Sequence, residues 1–195
     1  MKKHIRIIKV LGIVLLTLLI IVGGVSIYRV NKKYPSKTLN KYNIGESFEY
    51  ESYEFCIKDA EIYKYWDFKE KFDYTDTCGM EPLVEENDTH ILLVYLKIKN
   101  VSSDTLEMPP VMYFTLQSIP GAISYNFNYS VLNELYDNDL SLLSKELSSG
   151  ETVEVILPFS LDATYISFYD GSMLYENDFQ FVVSLYPEKN YVIFE

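Results

Sequence analysis

The chain has 195 residues, of which 17 are Lys or Arg and 28 are Asp or Glu, so that its formal net charge is −11. Seven of the basic residues precede residue 34, and every acidic residue follows Gly45, so residues 34–195 hold ten basic and 28 acidic side chains and a net charge of −18. A domain so acidic repels phosphate backbones, which excludes nucleic acid as an expected partner.

The first predicted element is an apolar helix over residues 10–28, a stretch without a charged side chain. At about 1.5 Å per helical residue it matches a hydrocarbon core of about 30 Å. A secretory signal peptide has a shorter apolar region, of roughly 7 to 15 residues, and a small-x-small cleavage site. Val22-Gly23-Gly24 is a poor version of that site. The pattern therefore favours an uncleaved, single-pass membrane anchor over a cleaved leader.

The orientation of this anchor is predicted from the sizes of its two flanks. Basic residues lie on both sides of the span, so charge counts alone do not decide it. Long domains cross a membrane largely regardless of flanking charges, and a nine-residue tail is too short to carry a function outside. We therefore expect residues 1–9 to be a basic cytoplasmic tail, 10–28 the anchor in the cell membrane, 29–43 a polar tether and 44–195 an extracellular domain.

Beyond the tether, apolar and polar residues alternate with the period of two that is typical of half-buried strands. The alternation is clearest in residues 151–161, where Val153, Val155, Leu157, Phe159 and Leu161 share one face. In residues 53–65 the apolar parity changes, which predicts a β-bulge near Asp59. Residues 90–98 alternate, stop at the polar turn 100–104 and resume with Leu106, before Pro109-Pro110 excludes a central ladder position.

Further strands are predicted over 48–50, 112–116, 179–185 and 191–194, and one short helix within residues 131–147. Seven to nine short strands with little helix predict an all-β fold, an antiparallel β-sandwich in which two sheets pack face to face. The strand that stops at residue 100 would then end at the rim of the sandwich, where the chain turns and enters one of the two sheets again.

The two cysteines, Cys56 and Cys78, have two interpretations. An exported chain permits a disulfide between them, which would stabilise the domain by roughly 3 kcal/mol on the chain-entropy model. Sequence does not place their Cα atoms within bridging distance, so two unpaired thiols remain the alternative. Neither belongs to a Cys-x-x-Cys pair, which excludes a zinc knuckle.

The segment between residues 65 and 88 combines aromatic with acidic residues. Rigid aromatic rings supply contact area at low entropic cost, so the segment is a candidate binding surface. The same rings would equally pack back on the sandwich, since aromatic residues favour strands. The candidate surface consists of Trp66, Phe68, Phe72 and Tyr74.

No arrangement of residues predicts catalysis. His90 is the only histidine beyond the apolar run, and its strand parity points it inward, which does not suit a Ser-His-Asp or Cys-His site. A hydrolase needs only two carboxylates, so that alternative stays open, although no pair stands out. Calcium is the more specific alternative, because Asp170, Glu176 and Asp178 are oxygen ligands in one acidic loop. An acidic solvated loop is the simpler interpretation. We expect no cofactor, apart from this calcium alternative.

Several stretches resemble a known group of proteins: "YNIGESFEY", "FCIKDAEIY", "LVYLKIKNVSSDTLEM" and "LSSGETVEVILPFSLD", together with the N-terminal apolar run. They resemble membrane-anchored extracellular domains of unknown function from Gram-positive bacteria, which are similar to the mycobacterial immunoprotective extracellular protein. The resemblance spans most of residues 43–186 and implies an immunoglobulin-like sandwich, but no catalytic residue. The chain departs from the lipoproteins of that group because no Cys follows its apolar run closely.

Together these observations predict a cell-surface binding module rather than an enzyme. The membrane is one partner, through residues 10–28, and the other is an unidentified protein, peptide or cell-wall polymer. We expect the binding face on the rim loops of the sandwich or within residues 65–88.

Overall fold

The computed structural model describes residues 21, 23–33, 38–76, 89–119, 123–162 and 179–194. The chain divides into two compact units, Met1–Thr38 and Leu39–Glu195. In the first unit, residues 21 and 23–33 are helical and expose apolar side chains such as Val25, Ile27 and Val30. Within the described ranges, no helix has both the length and the apolarity needed to cross a bilayer. The predicted anchor, 10–28, lies mostly outside the described residues.

The described part of the second unit contains eleven strands and a few short helices. The strands are β1 (Thr38–Asn43), β2 (Ser47–Tyr50), β3 (Tyr53–Lys64), β4 (Thr89–Asn100), β5 (Leu106–Glu107), β6 (Thr115–Ser118), β7 (Ser124–Asn126), β8 (Glu146–Leu147), β9 (Thr152–Asp162), β10 (Phe179–Ser184) and β11 (Glu188–Ile193). The helices are α1 (Tyr65–Lys71) and α2 (Tyr129–Leu135), with 3₁₀ turns η1 (Val111–Tyr113) and η2 (Ser141–Ser144).

Two large sheets pack against each other as a β-sandwich. The first sheet has the order β1-β11-β10-β6-β7 and the second the order β2-β3-β4-β9, while β5 and β8 form a small separate pair. The second sheet is antiparallel throughout. Side chains of both sheets meet in one core, as in the edge-to-face contact of Phe159 with Phe181, whose ring centroids lie 6.1 Å apart.

The alternation of the sequence explains which side chains fill this core. Val153, Val155, Leu157, Phe159 and Leu161 of β9 are all buried, whereas Thr152 and Glu154 are exposed. Burying each such apolar side chain contributes about 1.5–3 kcal/mol. The bulge predicted near Asp59 is confirmed, since the register of β3 against β4 shifts between Ile57 and Asp59.

The beginning of β4 is buried on both faces. Leu92 and Val94 point into the sandwich core, while Ile91 and Leu93 join a second cluster beneath α1 and α2 on the outer face of the second sheet. Toward its end β4 is half-buried, with Lys97 and Lys99 on the outer face. His90 is buried in this strand, at 5 % exposure.

Asn100 ends β4 because its buried side chain binds the polar turn that follows. Its Nδ2 donates to the carbonyl oxygens of Asp104 and Leu147 at 2.7 and 2.8 Å. Its Oδ1 accepts from the backbone N–H and the hydroxyl of Ser102 at 2.9 and 2.8 Å. The sequence Asn-Val-Ser-Ser-Asp therefore turns the chain at the rim, as predicted, and directs it into β5.

The free edge of β9 is covered by the segment that contains α2. The hydroxyl of Tyr136 accepts from the backbone N–H of Ile156 at 2.7 Å. The backbone N–H of Asn128 donates to the carbonyl oxygen of Pro158 at 2.6 Å. Asn128 also caps α2, since its Oδ1 accepts from the N–H groups of Ser130 and Val131.

The β-sandwich is confirmed, but the predicted details differ at three places. Residues 38–43, which were predicted as part of the tether, form β1 next to β11. This strand and short strands such as β5 and β8 raise the number of strands above the predicted seven to nine. The predicted strand over 112–116 begins instead with η1, because Pro109-Pro110 starts a tight turn. The helical pattern in 131–147 divides into α2 and η2, since Asp137 and Asn138 adopt positive φ between them.

Candidate functional site

A cavity of about 380 Å³, which we call the rim pocket, opens at one end of the sandwich. Three segments enclose it: the β2–β3 hairpin, the chain around η1, and the end of β10 with the turn after it. Both large sheets therefore contribute to it. Its aromatic and prolyl walls are formed by Tyr50, Tyr53, Tyr113, Tyr186, Pro109 and Pro110.

The rim pocket has a buried floor and an exposed edge. Phe55 and Phe114 form the floor in an edge-to-face contact, with ring centroids 5.6 Å apart, and both rings are buried. At the edge, Tyr113 is 73 % exposed and Tyr186 is 50 % exposed. Large apolar surfaces that are left in water around a concave site are typical of binding sites.

The local sequence explains how Tyr113 reaches the solvent. Pro109 and Pro110 have no backbone N–H and restrict φ, which favours a turn rather than a ladder strand. In η1, the backbone N–H of Tyr113 donates to the carbonyl oxygen of Pro110 at 3.0 Å. The turn directs Val111 into the core, where it is 3 % exposed, and leaves Tyr113 outside.

Glu51 lies at the tip of the β2–β3 hairpin and lines the rim pocket. The hairpin is closed by the pairing of Tyr50 with Tyr53, and Glu51 adopts a φ of +56°, a left-handed conformation that non-glycine residues adopt only at a cost of about 1 kcal/mol or more. The tight turn thus holds a carboxylate next to two tyrosine rings.

The electrostatic environment of the rim pocket is negative. Burial raises the pKa of Tyr53, and the charges of Glu51 and Glu107 raise it further. Burial likewise raises the pKa of Tyr50, with further contributions from Glu51 and Glu188. The phenol groups therefore remain neutral hydrogen-bonding groups at physiological pH. The hydroxyl of Tyr53 donates to the carbonyl oxygen of Glu107.

A second, open cavity of about 660 Å³, the sheet-face pocket, lies over the outer face of the second sheet. Its central acid is Glu61, whose Oε2 accepts from the hydroxyls of Tyr63 and Tyr95, both at 2.6 Å. These hydrogen bonds, with a smaller contribution from Lys71, lower the pKa of Glu61. Lys58 and Glu154 form an exposed ion pair at 2.9 Å in the same pocket.

The chemistry of the sheet-face pocket follows from these pairings. Glu61 is held ionised, so it does not serve as the protonated acid that a two-carboxylate glycosidase requires. Lys71 Nζ lies 3.9 Å from Glu61 Oε2, and Lys58 neutralises Glu154. The carboxylates at this face therefore already have partners within the protein.

The four aromatic residues of the candidate surface occupy different environments. Phe68 is fully buried and Tyr74 is 4 % exposed, so both belong to the cluster between α1 and the second sheet. Phe72 is partly buried against the same cluster. Only Trp66, at 47 % exposure, presents its ring to solvent. The interpretation that these rings pack back on the sandwich therefore describes Phe68, on the inner face of α1, and Tyr74, which follows the helix and joins the same cluster.

The other candidate residues lie largely outside the described ranges. Asp170, Glu176 and Asp178 all do, so the calcium alternative stays a prediction. Among the described residues, no three His, Cys, Asp or Glu side chains are grouped so that they could hold a metal ion. Cys56 carries a free thiol on the outer face of β3, while Cys78 is outside the described residues, and the disulfide also stays a prediction.

The rim-pocket tyrosines were not singled out by the sequence, although rim loops were expected to bind. Their signal was the presence of aromatic residues within turns. Tyr113 follows a double proline, and Tyr186 precedes Pro187 in the β10–β11 turn. Aromatic residues at such turns lie outside the hydrogen-bonded strands, so their side chains do not pack on a buried face of a sheet.

The sequence matches one protein family over residues 36–190, which include all the strands from β1 to β10. The chain belongs to this family. It is described as a domain of unknown function, DUF5028. No curated protein matches the sequence.

Solved structures similar to this DUF5028 chain come from several bacteria. The yjhA protein from Bacillus subtilis has 14 % identity and a TM-score of 0.49, with 79 % of this chain and 99 % of that chain covered. A conserved hypothetical protein from Bacillus anthracis has 12 % identity and a TM-score of 0.44, with 72 % and 87 % covered. An uncharacterized beta-sandwich protein from Clostridium difficile 630 has 12 % identity and a TM-score of 0.44, with 82 % and 97 % covered.

Proposed function

We propose that the chain is a non-enzymatic, membrane-anchored module that binds an extracellular protein, peptide or cell-wall polymer in the rim pocket of an immunoglobulin-like sandwich. The observation that carries this proposal is the rim pocket itself. It combines a buried aromatic floor with Tyr113 and Tyr186 at 73 % and 50 % exposure. Exposed aromatic anchors around a preformed concavity are the features that concentrate binding energy at interfaces.

The location outside the membrane is part of the same proposal. The apolar run 10–28 has the length of a bilayer span, and the described helical residues at its end and just beyond it expose Val25, Ile27 and Val30. The basic tail 1–9 would then face the cytoplasm, and the sandwich would follow a tether that ends before β1. This organisation is that of the Gram-positive surface domains, similar to the mycobacterial immunoprotective extracellular protein, which the sequence resembles.

Site-specific photo-cross-linking on intact cells tests the binding site. A benzophenone amino acid is placed at Met112, which is 61 % exposed and adjoins Tyr113, and in a control at Tyr129, which is 62 % exposed on α2. We expect a discrete adduct from position 112 that is absent from position 129. The additional substitution Tyr186→Ala should reduce that adduct. Equal labelling from both positions, or none from position 112, would contradict the proposal.

Protease treatment of cells without their walls tests the location. We expect the sandwich to be degraded from outside while a short fragment that includes the span stays in the membrane after extraction at high pH. Protection of the sandwich in intact cells, with digestion only after lysis, would place it in the cytosol and refute the proposed orientation.

Calcium binding at Asp170, Glu176 and Asp178 is a competing proposal that the acidic loop supports. Under it, the melting temperature of the full chain would rise with calcium but not with magnesium, and Asp170→Asn would abolish the rise. A melting temperature that is indifferent to calcium would exclude it.

A further inference from the structure

The rim pocket combines aromatic walls with negative charge. Among the described residues that line it, Glu51 is the one acidic side chain, and none is Lys or Arg. Glu107 and Glu188 lie close enough for their charges to act on Tyr53 and Tyr50 respectively. The charge that would balance these carboxylates is therefore not supplied by the pocket lining.

We propose that the rim pocket is an aromatic cage for a positively charged side chain, lysine or arginine, carried by an exposed segment of a partner polypeptide. The inference rests on the proposed function, because it states which chemical group of a partner enters the pocket. Aromatic rings carry negative charge on their faces and attract a cation that lies within about 6 Å of the ring centroid. A carboxylate at the mouth adds a charge-assisted hydrogen bond to the same group.

The chain itself uses this chemistry elsewhere, as two examples show. Lys71 Nζ lies 4.5 Å from the ring centroid of Tyr63, and Lys189 Nζ lies 5.0 Å from that of Tyr191. At those places the protein supplies both the ring and the cation. In the part of the chain that the structure describes, the rim pocket is lined by rings and a carboxylate but by no cation, which is the arrangement expected of a site that receives its cation from another molecule.

The sheet-face pocket provides an internal comparison. It is larger, at about 660 Å³ against about 380 Å³, but two of the three acids among its described lining residues already lie beside a lysine. Glu154 pairs with Lys58, and Glu61 accepts from two tyrosine hydroxyls and lies 3.9 Å from Lys71. A cation that entered there would compete with lysines that the protein holds in place. In the rim pocket Glu51 interacts with the hydroxyl of Tyr50, but none of the described lining residues is a lysine that an entering cation would displace.

Size and net charge favour a side chain on a basic segment over other occupants. A volume of about 380 Å³ admits one long side chain and its immediate neighbours, and the net charge of −18 over residues 34–195 attracts basic segments at long range. A neutral sugar ring would stack on the tyrosines but gain nothing from the three carboxylates. A neutral wall polymer is therefore the alternative that the experiment must separate.

The experiment compares three synthetic peptides that differ only in their central residue. They are acetyl-Gly-Ser-X-Ser-Gly-amides with X as Arg, Lys or citrulline, which has nearly the shape of Arg without its charge. Each carries an uncharged fluorophore, and binding to the full chain in nonionic detergent is followed by fluorescence anisotropy. We expect the Arg and Lys peptides to bind about tenfold more tightly than the citrulline peptide at low salt. This preference should shrink as the salt concentration rises.

Two matched variants locate the effect. Glu51→Gln removes the charge at the mouth and should weaken binding of the Arg peptide about fivefold without changing that of the citrulline peptide. Glu49→Gln removes the same charge two residues earlier, on an exposed position of β2 outside the pocket lining. It should change the affinity by less than about twofold.

Each outcome decides between the two proposals. Equal affinity for the Arg and citrulline peptides, or equal effects of the two Glu→Gln variants, overturns the cation cage. If the adduct from position 112 nevertheless persists on cells, the proposed function stands with a different ligand. Absence of both the adduct and peptide binding overturns both. The wild-type comparison of peptides requires no variant to fold, so it decides the question even if Glu51→Gln destabilises the hairpin.

Discussion

Replacement of Asn100 by Ala should destabilise the sandwich strongly, although the change removes only a few atoms. The Asn100 side chain is fully buried and makes four hydrogen bonds, to Ser102, Asp104 and Leu147. A hydrogen bond within a protein contributes about 1 kcal/mol net, and more where its loss leaves a buried group unsatisfied. Asn100→Ala should therefore lower the free energy of unfolding by about 3–5 kcal/mol.

Urea unfolding followed by tryptophan fluorescence and circular dichroism measures this loss. For a slope of about 2 kcal/mol per molar urea, the midpoint should fall by about 1.5–2.5 M with little change in slope. Asn126→Ala is the matched control, because Asn126 is exposed on β7, and it should change the free energy of unfolding by less than about 0.5 kcal/mol. Similar losses for the two variants would refute the view that this buried amide fixes the turn.

A second substitution, Asn100→Asp, should destabilise the protein by an amount that depends on pH. The new carboxylate keeps the shape of Asn but directs negative charge at the carbonyl oxygens of Asp104 and Leu147, which the amide now contacts at 2.7 and 2.8 Å. Folding should therefore raise the pKa of the new carboxyl above its unfolded value of about 3.9. The destabilisation relative to wild type should be smallest below about pH 4 and grow as the pH rises. A difference that does not change with pH would contradict the assigned amide orientation.

Three further outcomes are expected from the same unfolding assay. Phe68→Ala should cost about 3–5 kcal/mol because Phe68 is fully buried, while Trp66→Ala, at a half-exposed position, should cost less than about 1 kcal/mol. Folding lowers the pKa of Glu61, so its contribution to the free energy of unfolding should be present above the unfolded pKa and be lost as the pH falls through the folded pKa. The free energies of unfolding of wild type and Glu61→Gln should therefore converge in acid. A difference between them that stays constant with pH would count against the tyrosine hydrogen bonds. Gly150→Ala should cost about 1 kcal/mol, because Gly150 has a φ of +75° although space for a methyl group is open.

Most of the sandwich was predictable because its strands bury one face and expose the other. The alternation in β9 predicted its bounds to within one residue at each end and identified its inward residues, and the change of parity in β3 located the bulge at Asp59. β1 was missed for the same reason, since Thr38–Asn43 is mostly polar and its strand state depends on pairing with β11 rather than on its own pattern. Pairing with a distant strand leaves no local signal.

The candidate site was harder to predict, because exposure depends on what lies opposite a side chain. Tyr65, Phe68 and Phe72 recur at helical spacing, which indicates α1, but their burial requires the outer face of β4 as a partner. Conversely, Tyr113 lies within the segment 112–116 that was predicted as a strand, and the turn that begins at Pro110 leaves it exposed to solvent. The sequence therefore indicated aromatic binding surfaces but did not predict which aromatic side chains are exposed to solvent.

The covered edge of β9 affects how copies of the chain behave when they are crowded. An uncovered strand edge offers N–H and C=O groups on which a second molecule can add its own strand, and repetition of that step produces fibres. At β9 the N–H of Ile156 and the carbonyl of Pro158 are already engaged by Tyr136 and Asn128, and Pro158 has no N–H to offer. These two contacts and the missing N–H oppose strand addition at this part of the edge, which disfavours linear polymerisation through β9 where many copies are crowded together.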